Sequence, residues 1–330
     1  MLSPETVAAV AERVPRNSST YGLTKDDRPR ISGQDEPGQA AGLAEVFHEI
    51  EETAAQSAAA GLSAASSYLG RRLIALLAEL PVPHDLSWSP EQMGLAWLDR
   101  RDAADIGKVT ALRHFGALIT DRSPEVTHMI CLAHMDEGAE IFYGGPAERP
   151  AWNWTSISLD GTSETRLLFV ATDPERFEPS RPLFEQSGMA SRVVQILFEE
   201  RTLLLTAAMV GVCQALFRYV LEYTRQRVTF GKAICHHQAV ALKLADAATD
   251  IETSRLLCLA ACEASEQETT SRVPMICQYV GESLVQTGVS LAQLMGGHGF
   301  LELHPTPALL RTLNYLRSLM AEPKAFTEAL

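Results

Sequence analysis

Apolar positions recur every three to four residues through most of this chain, and one internal stretch breaks that rhythm. Residues 1 to about 40 predict a short helix and then a polar loop punctuated by Gly and Pro, GLTKDDRPRISGQDEPGQ. From Gly42, the Ala and Leu content and helical spacing of GLAEVFHEIEETAAQSAAAGLSAASSYLGRRLIALLAEL predict two helices packed as a hairpin. PVPHDLSWSPEQ then interrupts the pattern. Between about Lys108 and Pro182 the apolar runs shorten to VTHMICLA, EIFYGG, WTSISL and TRLLFVAT, separated by Pro, Gly and LDGTSE. Short runs of β-branched and aromatic residues with such spacers predict a small β region.

From Leu197 onward only helices are predicted. RTLLLTAAMVGVCQALFRYVLEYTRQR is apolar around nearly its whole circumference, as a helix at the centre of a bundle must be. The next is amphipathic, with Val240, Leu244, Ala248, Ile251, Cys258 and Cys262 on one side and Lys243, Asp246, Asp250 and Thr253 on another. MICQYVGESLVQTGVSLAQLM forms a third helix, stopped by GGHG. A fourth begins at TPALLRTL, with Thr306 as N-cap and Pro307 in the first helical position. The chain therefore reads as mainly α with a small middle β domain. Its divisions are an N-terminal helix and flexible loop (1–40), a helical domain (41–107), a reduced β domain (108–196) and a helical bundle (197–330).

Composition narrows the function classes. A length of 330 residues, 46% hydrophobic and 21% charged, suits a soluble protein with a sizeable core. The net charge of −13 argues against a nucleic-acid partner, which would need clustered Lys and Arg. From Arg201 onward 11 Lys and Arg face 11 Asp and Glu, so the acidic excess belongs to the first 200 residues. No uninterrupted, uncharged apolar run reaches the roughly 20 residues of a membrane span. The start has no basic segment followed by an apolar core, so a cytoplasmic location is expected. The six cysteines are scattered, and Cys258 and Cys262 share a helix face with no further ligands at zinc spacing. They read as free thiols in a reducing compartment, and no metal is expected.

Three motifs carry the candidate chemistry. The first runs through Tyr223, Arg227, Phe230-Gly231 and Gln238, and continues through Leu244, Ala245-Asp246, Ile251-Glu252 and Arg255. The second is QLMGGHGFLELHPTPALLR, from Gln293 through Gly296, Gly297 and Gly299 to Arg311. The third is Gly211 and Gln214 in the preceding helix. A guanidinium offers a fork of donors to a pyrophosphate, Phe an apolar face, Gln both donor and acceptor, and Gly a backbone with no Cβ in the way. Each residue also has a plainer role. Arg227 is a cation at a helix C-terminus, Gly231 a turn residue and Gln238 a solvated helix start.

In this order the motifs resemble the acyl-CoA dehydrogenase family, whose patterns run R-x-x-F-G…Q…L-A-D…I-E-x-x-R and Q-x-x-G-G-x-G-[FY]-x-x-E…P…R. The resemblance covers the C-terminal 130 residues or so. It implies an N-terminal helical domain, a middle β domain, and a C-terminal four-helix bundle that mediates dimers. It also implies that Arg227, Phe230, Gly231, Gln238, Gln293, Gly296, Gly297 and Gly299 reach an FAD held by the neighbouring chain. Trp154-Thr155-Ser156 is similar to the family's Trp-x-Ser/Thr, which implies a flavin contact at Trp154 and Ser156; a buried aromatic on a strand is the plainer reading.

The departures are as informative. The family removes the α proton of an acyl thioester with a Glu at one of two positions. One lies 26 residues before Arg227, where this chain has Arg201; the other lies nine residues after Arg311, where it has Met320. Glu200 and Glu322 stand nearby as displaced candidates, and each alone reads as an exposed acid at a helix end. The family's Thr/Ser-Glu…Gly-Ser-Asp segment has no counterpart between Asp99 and Pro150. What is kept is what a chain lends to a neighbour. The expectation is a subunit that lacks the catalytic glutamate and completes the FAD site of a Glu-bearing acyl-CoA dehydrogenase partner. The substrate would be an acyl group on CoA or on a carrier protein. Two alternatives stay open: a homodimeric or homotetrameric FAD enzyme with a displaced base or oxygenase chemistry, and a non-enzymatic scaffold.

Overall fold

The computed structural model describes residues 42–78, 93–98, 128–135, 138–144, 153–158, 164–169, 187–264 and 272–320. In chain order these form α1 (Leu43–Gln56), α2 (Ala58–Ala78), β1 (Met93–Leu98), β2 (His128–Met135), β3 (Gly138–Gly144), β4 (Asn153–Ser158) and β5 (Glu164–Phe169). Then come α3 (Ser187–Gln226), a hairpin of β6 (Val228–Thr229) and β7 (Lys232–Ala233), α4 (Gln238–Ala264), α5 (Val273–Leu294) and α6 (Thr306–Leu319). Single 3-10 turns occupy Ile234–His236 and Gly296–Phe300. The N-terminal helix and loop predicted for residues 1–40 lie outside the described residues. The mainly helical expectation with a small set of strands is met.

The described residues fall into two units. One gathers α1, α2 as far as Gly61, and the chain from Leu203 to Met320. The other gathers α2 from Leu62, the strands β1 to β5, and α3 as far as Thr202.

In the first unit α3 is the central helix. Leu203, Leu204, Ala207, Ala208, Met209, Val210, Val212, Cys213 and Leu216 are all sealed from solvent, on every side of the helix, because neighbours cover its whole circumference. By length and composition the stretch Ala190–Gln226 is apolar enough to cross a membrane, and most of it is buried inside the protein instead. The apolar positions of α1 (Leu43, Val46, Phe47, Ile50, Ala54), α5 (Val273, Cys277, Val280, Leu284, Leu291) and α6 (Leu309, Leu313, Leu316) repeat at three and four residues and face inward. Each of the Val, Leu, Ile and Phe side chains among them contributes about 2 kcal/mol by leaving water.

Glycines set two close crossings in this unit. A Cβ at Gly211 would stand 2.2 Å from the Glu51 carbonyl oxygen and 2.8 Å from the Ala55 nitrogen, so α1 lies directly against the α3 backbone there. A Cβ at Gly288 would meet Leu313 Cδ1 at 2.8 Å, which brings α6 onto α5. The start of α6 differs from expectation. Its N-cap is Pro305, Thr306 is the first helical residue and Pro307 the second. Thr306 is fully buried and donates to Met295 Sδ at 3.3 Å, which ties the helix start to the glycine turn rather than capping it.

In the second unit β1, β2 and β3 form one sheet in that order. β1 runs parallel to β2 (Met93 beside His128, Leu98 beside Ala133), and β3 runs antiparallel to it (Met129 beside Gly144, Met135 beside Gly138). β4 and β5 form a separate antiparallel pair in which Trp154 stands opposite Leu168 and Ser156 opposite Arg166. The hydrophobic pattern did not announce β1, whose sequence MGLAWL has no β-branched residue; parallel pairing with a distant segment makes it a strand.

Candidate functional site

The first motif folds into a tight, outward-pointing hairpin. The Arg227 amide donates to the Tyr223 carbonyl at 2.9 Å, closing the last turn of α3, and the Ile234 amide returns to the Arg227 carbonyl at 2.8 Å. Between them Val228 pairs with Ala233 and Thr229 with Lys232, leaving Phe230-Gly231 as a two-residue loop. Both loop residues have positive φ, 51° and 79°, the pattern of a type I′ turn. Gly231 adopts it freely; Phe230 bears a cost of about 1–2 kcal/mol for its Cβ. Phe230 is nevertheless 97% exposed. The His237 ring meets it edge-on with centroids 6.2 Å apart, and His237 Nε2 lies 3.3 Å from the Thr229 carbonyl oxygen.

Three polar side chains of the two motifs are uncommitted among the described residues. Arg227 is exposed, and its guanidinium makes no ion pair or hydrogen bond among the described residues. Gln238, the first residue of α4, and Gln293, near the end of α5, are likewise exposed with unengaged side-chain amides.

The second motif closes α5 with a glycine turn whose two sides differ. Gly299 faces inward: a Cβ there would stand 2.3 Å from the Ala292 carbonyl oxygen, so the turn could not fold against the helix end with any other residue. Gly296, at φ 59°, and Gly297 face outward, where an added Cβ would meet nothing within 4 Å. The outer surface is thus bare backbone, open to an approaching group.

Four rings join the two motifs. Tyr219 and Tyr223 stand one turn apart on α3, and His298 and His304 flank the end of the glycine turn. The Tyr219 hydroxyl lies 2.6 Å from His304 Nδ1. Tyr223 has its ring centroid 6.0 Å from that of His298 and 6.1 Å from that of His304, and the two imidazoles are 5.7 Å apart. Burial, and Tyr223 alongside, push the Tyr219 phenol up, so it keeps its proton and can share a hydrogen bond with Nδ1. Beyond this cluster Arg311 Nη1 donates to Glu302 Oε1 at 2.8 Å, bracing the segment that leads into α6. Sequence reasoning picked out Tyr223 and missed Tyr219, His298 and His304. The available signal was the four-residue spacing of the tyrosines on a helix running toward a His-bearing glycine turn.

Other motif residues serve the frame. Glu51 of α1 is buried, accepts from Gln214 Nε2 at 2.6 Å, and holds Arg255 Nε between its two oxygens at 3.0 and 2.9 Å. Gly211, Gln214 and Arg255 are therefore the seat of α1 on the bundle.

The acidic candidates divide. Glu322 and the segment around it lie outside the described residues. Glu200 is not an exposed acid at a helix end, as its neighbourhood in sequence suggested. It sits buried within the continuous α3, its Oε1 accepts Arg72 Nε at 2.9 Å, and its Oε2 is buried with no hydrogen-bond partner among the described residues. Burial pushes this carboxyl above its ordinary value, against the pull of Arg72 and, less, of Tyr68. Arg201 is buried, and Met320, also buried, packs its methyl end toward Gly281, at 3.2 Å from where a Cβ would stand. These are the two positions at which the resemblance leads to the expectation of a glutamate.

Residues 187–319 match the family model described as acyl-CoA dehydrogenase, C-terminal domain. A short-chain-specific acyl-CoA dehydrogenase of Megasphaera elsdenii is 27% identical over 211 residues, 63% of this chain and 50% of that protein. The chain spans half or less of the length of that relative and of an acyl-CoA dehydrogenase from Bacillus subtilis, where 26% identity covers 40% of the relative. Among solved structures, a glutaryl-CoA dehydrogenase from Mycobacterium smegmatis in complex with FADH2 superposes with a TM-score of 0.63, at 12% identity, over 87% of this chain and 79% of that one. PigA with FAD and proline superposes with a TM-score of 0.64, at 18% identity, over 88% and 82%. The fold is acyl-CoA dehydrogenase-like.

Proposed function

We propose that this chain is a subunit of an FAD-dependent acyl-CoA dehydrogenase, lacks a catalytic glutamate of its own, and completes the flavin site of a Glu-bearing neighbour. The observation that carries the reading is the turn after α3. It presents a cation, Arg227, unpaired among the described residues, close in sequence to an aromatic ring held outward in a costly backbone conformation. An exposed ring at positive φ brings the isolated chain no stability. It makes sense where a second body covers it.

The residues present fit a flavin dinucleotide. A pyrophosphate asks for a fork of donors, which Arg227 offers with no partner of its own among the described residues. Ring systems ask for apolar surface, which Phe230 offers. A close approach asks for backbone without Cβ atoms, which Gly296 and Gly297 offer on their open side, with Gln238 and Gln293 free to donate or accept. Bound FAD supplies the acceptor for a hydride from the β carbon of an acyl thioester. This chain's part is to bind and orient it. The α proton needs a carboxylate base that this chain lacks at either expected position, so the partner provides it.

The partner docks on the outer faces of α4 and α5, where Leu242, Leu256, Leu257, Met275, Tyr279 and Val289 are exposed at helical spacing. A face of that kind on two adjacent helices suits a matching helix pair, as in a bundle that dimerises. The acyl carrier, CoA or a carrier protein, binds chiefly to the partner. The buried free thiols Cys213, Cys258, Cys262 and Cys277 fit a cytoplasmic setting.

One observation favours a second reading, a homomeric enzyme. Glu200 has a raised pKa and one buried, unengaged oxygen, which suits a general base better than a structural anion. The visible spectrum of the purified chain separates the two. Flavin bands only after co-purification with a Glu-bearing dehydrogenase-like chain support the shared site. Flavin bands and turnover in the chain alone, lost in Glu200→Gln, support the homomer.

A further inference from the structure

We infer that His298 is a direct side-chain ligand for a phosphate group of the dinucleotide that the glycine turn receives, and that Tyr219 and Tyr223 fix its position; this rests on the shared-site reading above. The turn reads Gly296-Gly297-His298-Gly299, and its outer surface is open at both leading glycines. His298 is exposed and is the one residue of that run with a hydrogen-bonding side chain. Its imidazole makes ring contacts with Tyr223 and His304 and no hydrogen bond among the described residues. An exposed imidazole usually wanders. This one rests against two rings that also touch each other, Tyr223 and His304, with centroids 6.1 Å apart, and both contacts lead back to a rigid helix. The Tyr219 hydroxyl is hydrogen-bonded to His304 Nδ1 at 2.6 Å, which ties the His304 ring to α3 where it touches His298. Little rotamer freedom then remains to be lost when a ligand arrives.

The chemistry matches what Arg227 leaves undone. A pyrophosphate presents more acceptor oxygens than one guanidinium fork fills, and an imidazole N–H is a suitable further donor. Tyr223 binds the two ligands into one arrangement. Its carbonyl accepts the Arg227 amide at 2.9 Å, and its ring touches His298. The same helix end thereby carries the guanidinium and contacts the imidazole.

The test is binding, read by flavin fluorescence and by competition with ADP. It uses the full chain, alone and co-purified with its partner, and His298→Ala, His298→Gln and Tyr219→Phe. Riboflavin, which has no phosphate, is the control ligand. His298→Ala is expected to weaken FAD and ADP about tenfold and to leave riboflavin within about twofold. His298→Gln recovers part of the loss because it restores a donor. Tyr219→Phe, which removes the hydroxyl and keeps the ring, weakens FAD and ADP about threefold. Unchanged FAD and ADP affinity in His298→Ala overturns the inference while the shared-site reading stands. An equal loss of riboflavin binding overturns it too, because the residue would then be supporting the fold rather than a phosphate. If the wild-type chain takes up no FAD in either form, both readings fall together.

Discussion

Arg255 Nε lies between the two carboxylate oxygens of Glu51, 204 positions earlier in the chain, at 3.0 and 2.9 Å. Glu51 is 4% exposed at its side chain and Arg255 24%, so the pair is largely withdrawn from water. Removing one partner of such a pair leaves the other charge buried and uncompensated. Glu51→Ala is expected to lower stability by about 3 kcal/mol in urea unfolding, since it also strands the Gln214 amide. A loss below about 1 kcal/mol would show that α1 is seated by its apolar face alone.

Gly211→Ala tests the same seat from the other side. The new methyl would press on the Glu51 carbonyl and the Ala55 amide, which are backbone atoms and cannot turn away. An overpacking cost of about 2–3 kcal/mol is expected. Gly297→Ala is the contrast: its Cβ meets nothing, so stability holds within about 0.5 kcal/mol while flavin retention in the complex falls.

Glu200 makes stability depend on pH with a definite sign. Its native carboxyl holds a proton to a higher pH than the unfolded value near 4.5, so folding takes up protons between those two values. Stability from this group therefore falls as pH rises from about 4.5 through the raised native value, and is regained as pH drops back. Glu200→Gln, which keeps an acceptor for Arg72, should flatten that slope. A slope identical to wild type would place the proton elsewhere.

Arg227→Ala should leave the unfolding midpoint unchanged, because the side chain is exposed and has no protein partner among the described residues. Flavin should leave the complex more easily, seen as lost absorbance on gel filtration, with Arg227→Lys intermediate since a point charge replaces a fork. A stable complex retaining full flavin in Arg227→Ala would contradict the assignment.

Phe230→Gly should separate stability from function. Glycine relieves the left-handed strain, so the isolated chain gains about 1 kcal/mol in thermal or chemical unfolding. The same change removes the exposed ring and should weaken both flavin retention and partner binding.

The bundle was legible because long helices repeat their apolar positions every three to four residues, and α3 announces its central place by being apolar all round. Its start was not legible. The helix begins at Ser187, ten residues before the pattern suggests, because Ser, Gly and Ala at its head carry little hydrophobic signal. β1 was hidden because its strand character comes from a distant partner. At the site, Arg227, Phe230 and the glycines stand out by motif. His298 and His304 do not, since their significance lies in two tyrosines on another element. Glu51 was invisible for the same reason: each of its two main partners is more than 160 positions away.

The bare apolar stripe on α4 and α5, with Leu303 and Phe230 at the end of the bundle, also bears on how the cell must supply this chain. An orphan copy offers that surface to whatever it meets, and surplus copies are the ones that chaperones and proteases remove. On the shared-site reading, synthesis matched one for one with the partner chain avoids that waste, and the abundance of this chain should track that of its partner, whatever the demand for the reaction.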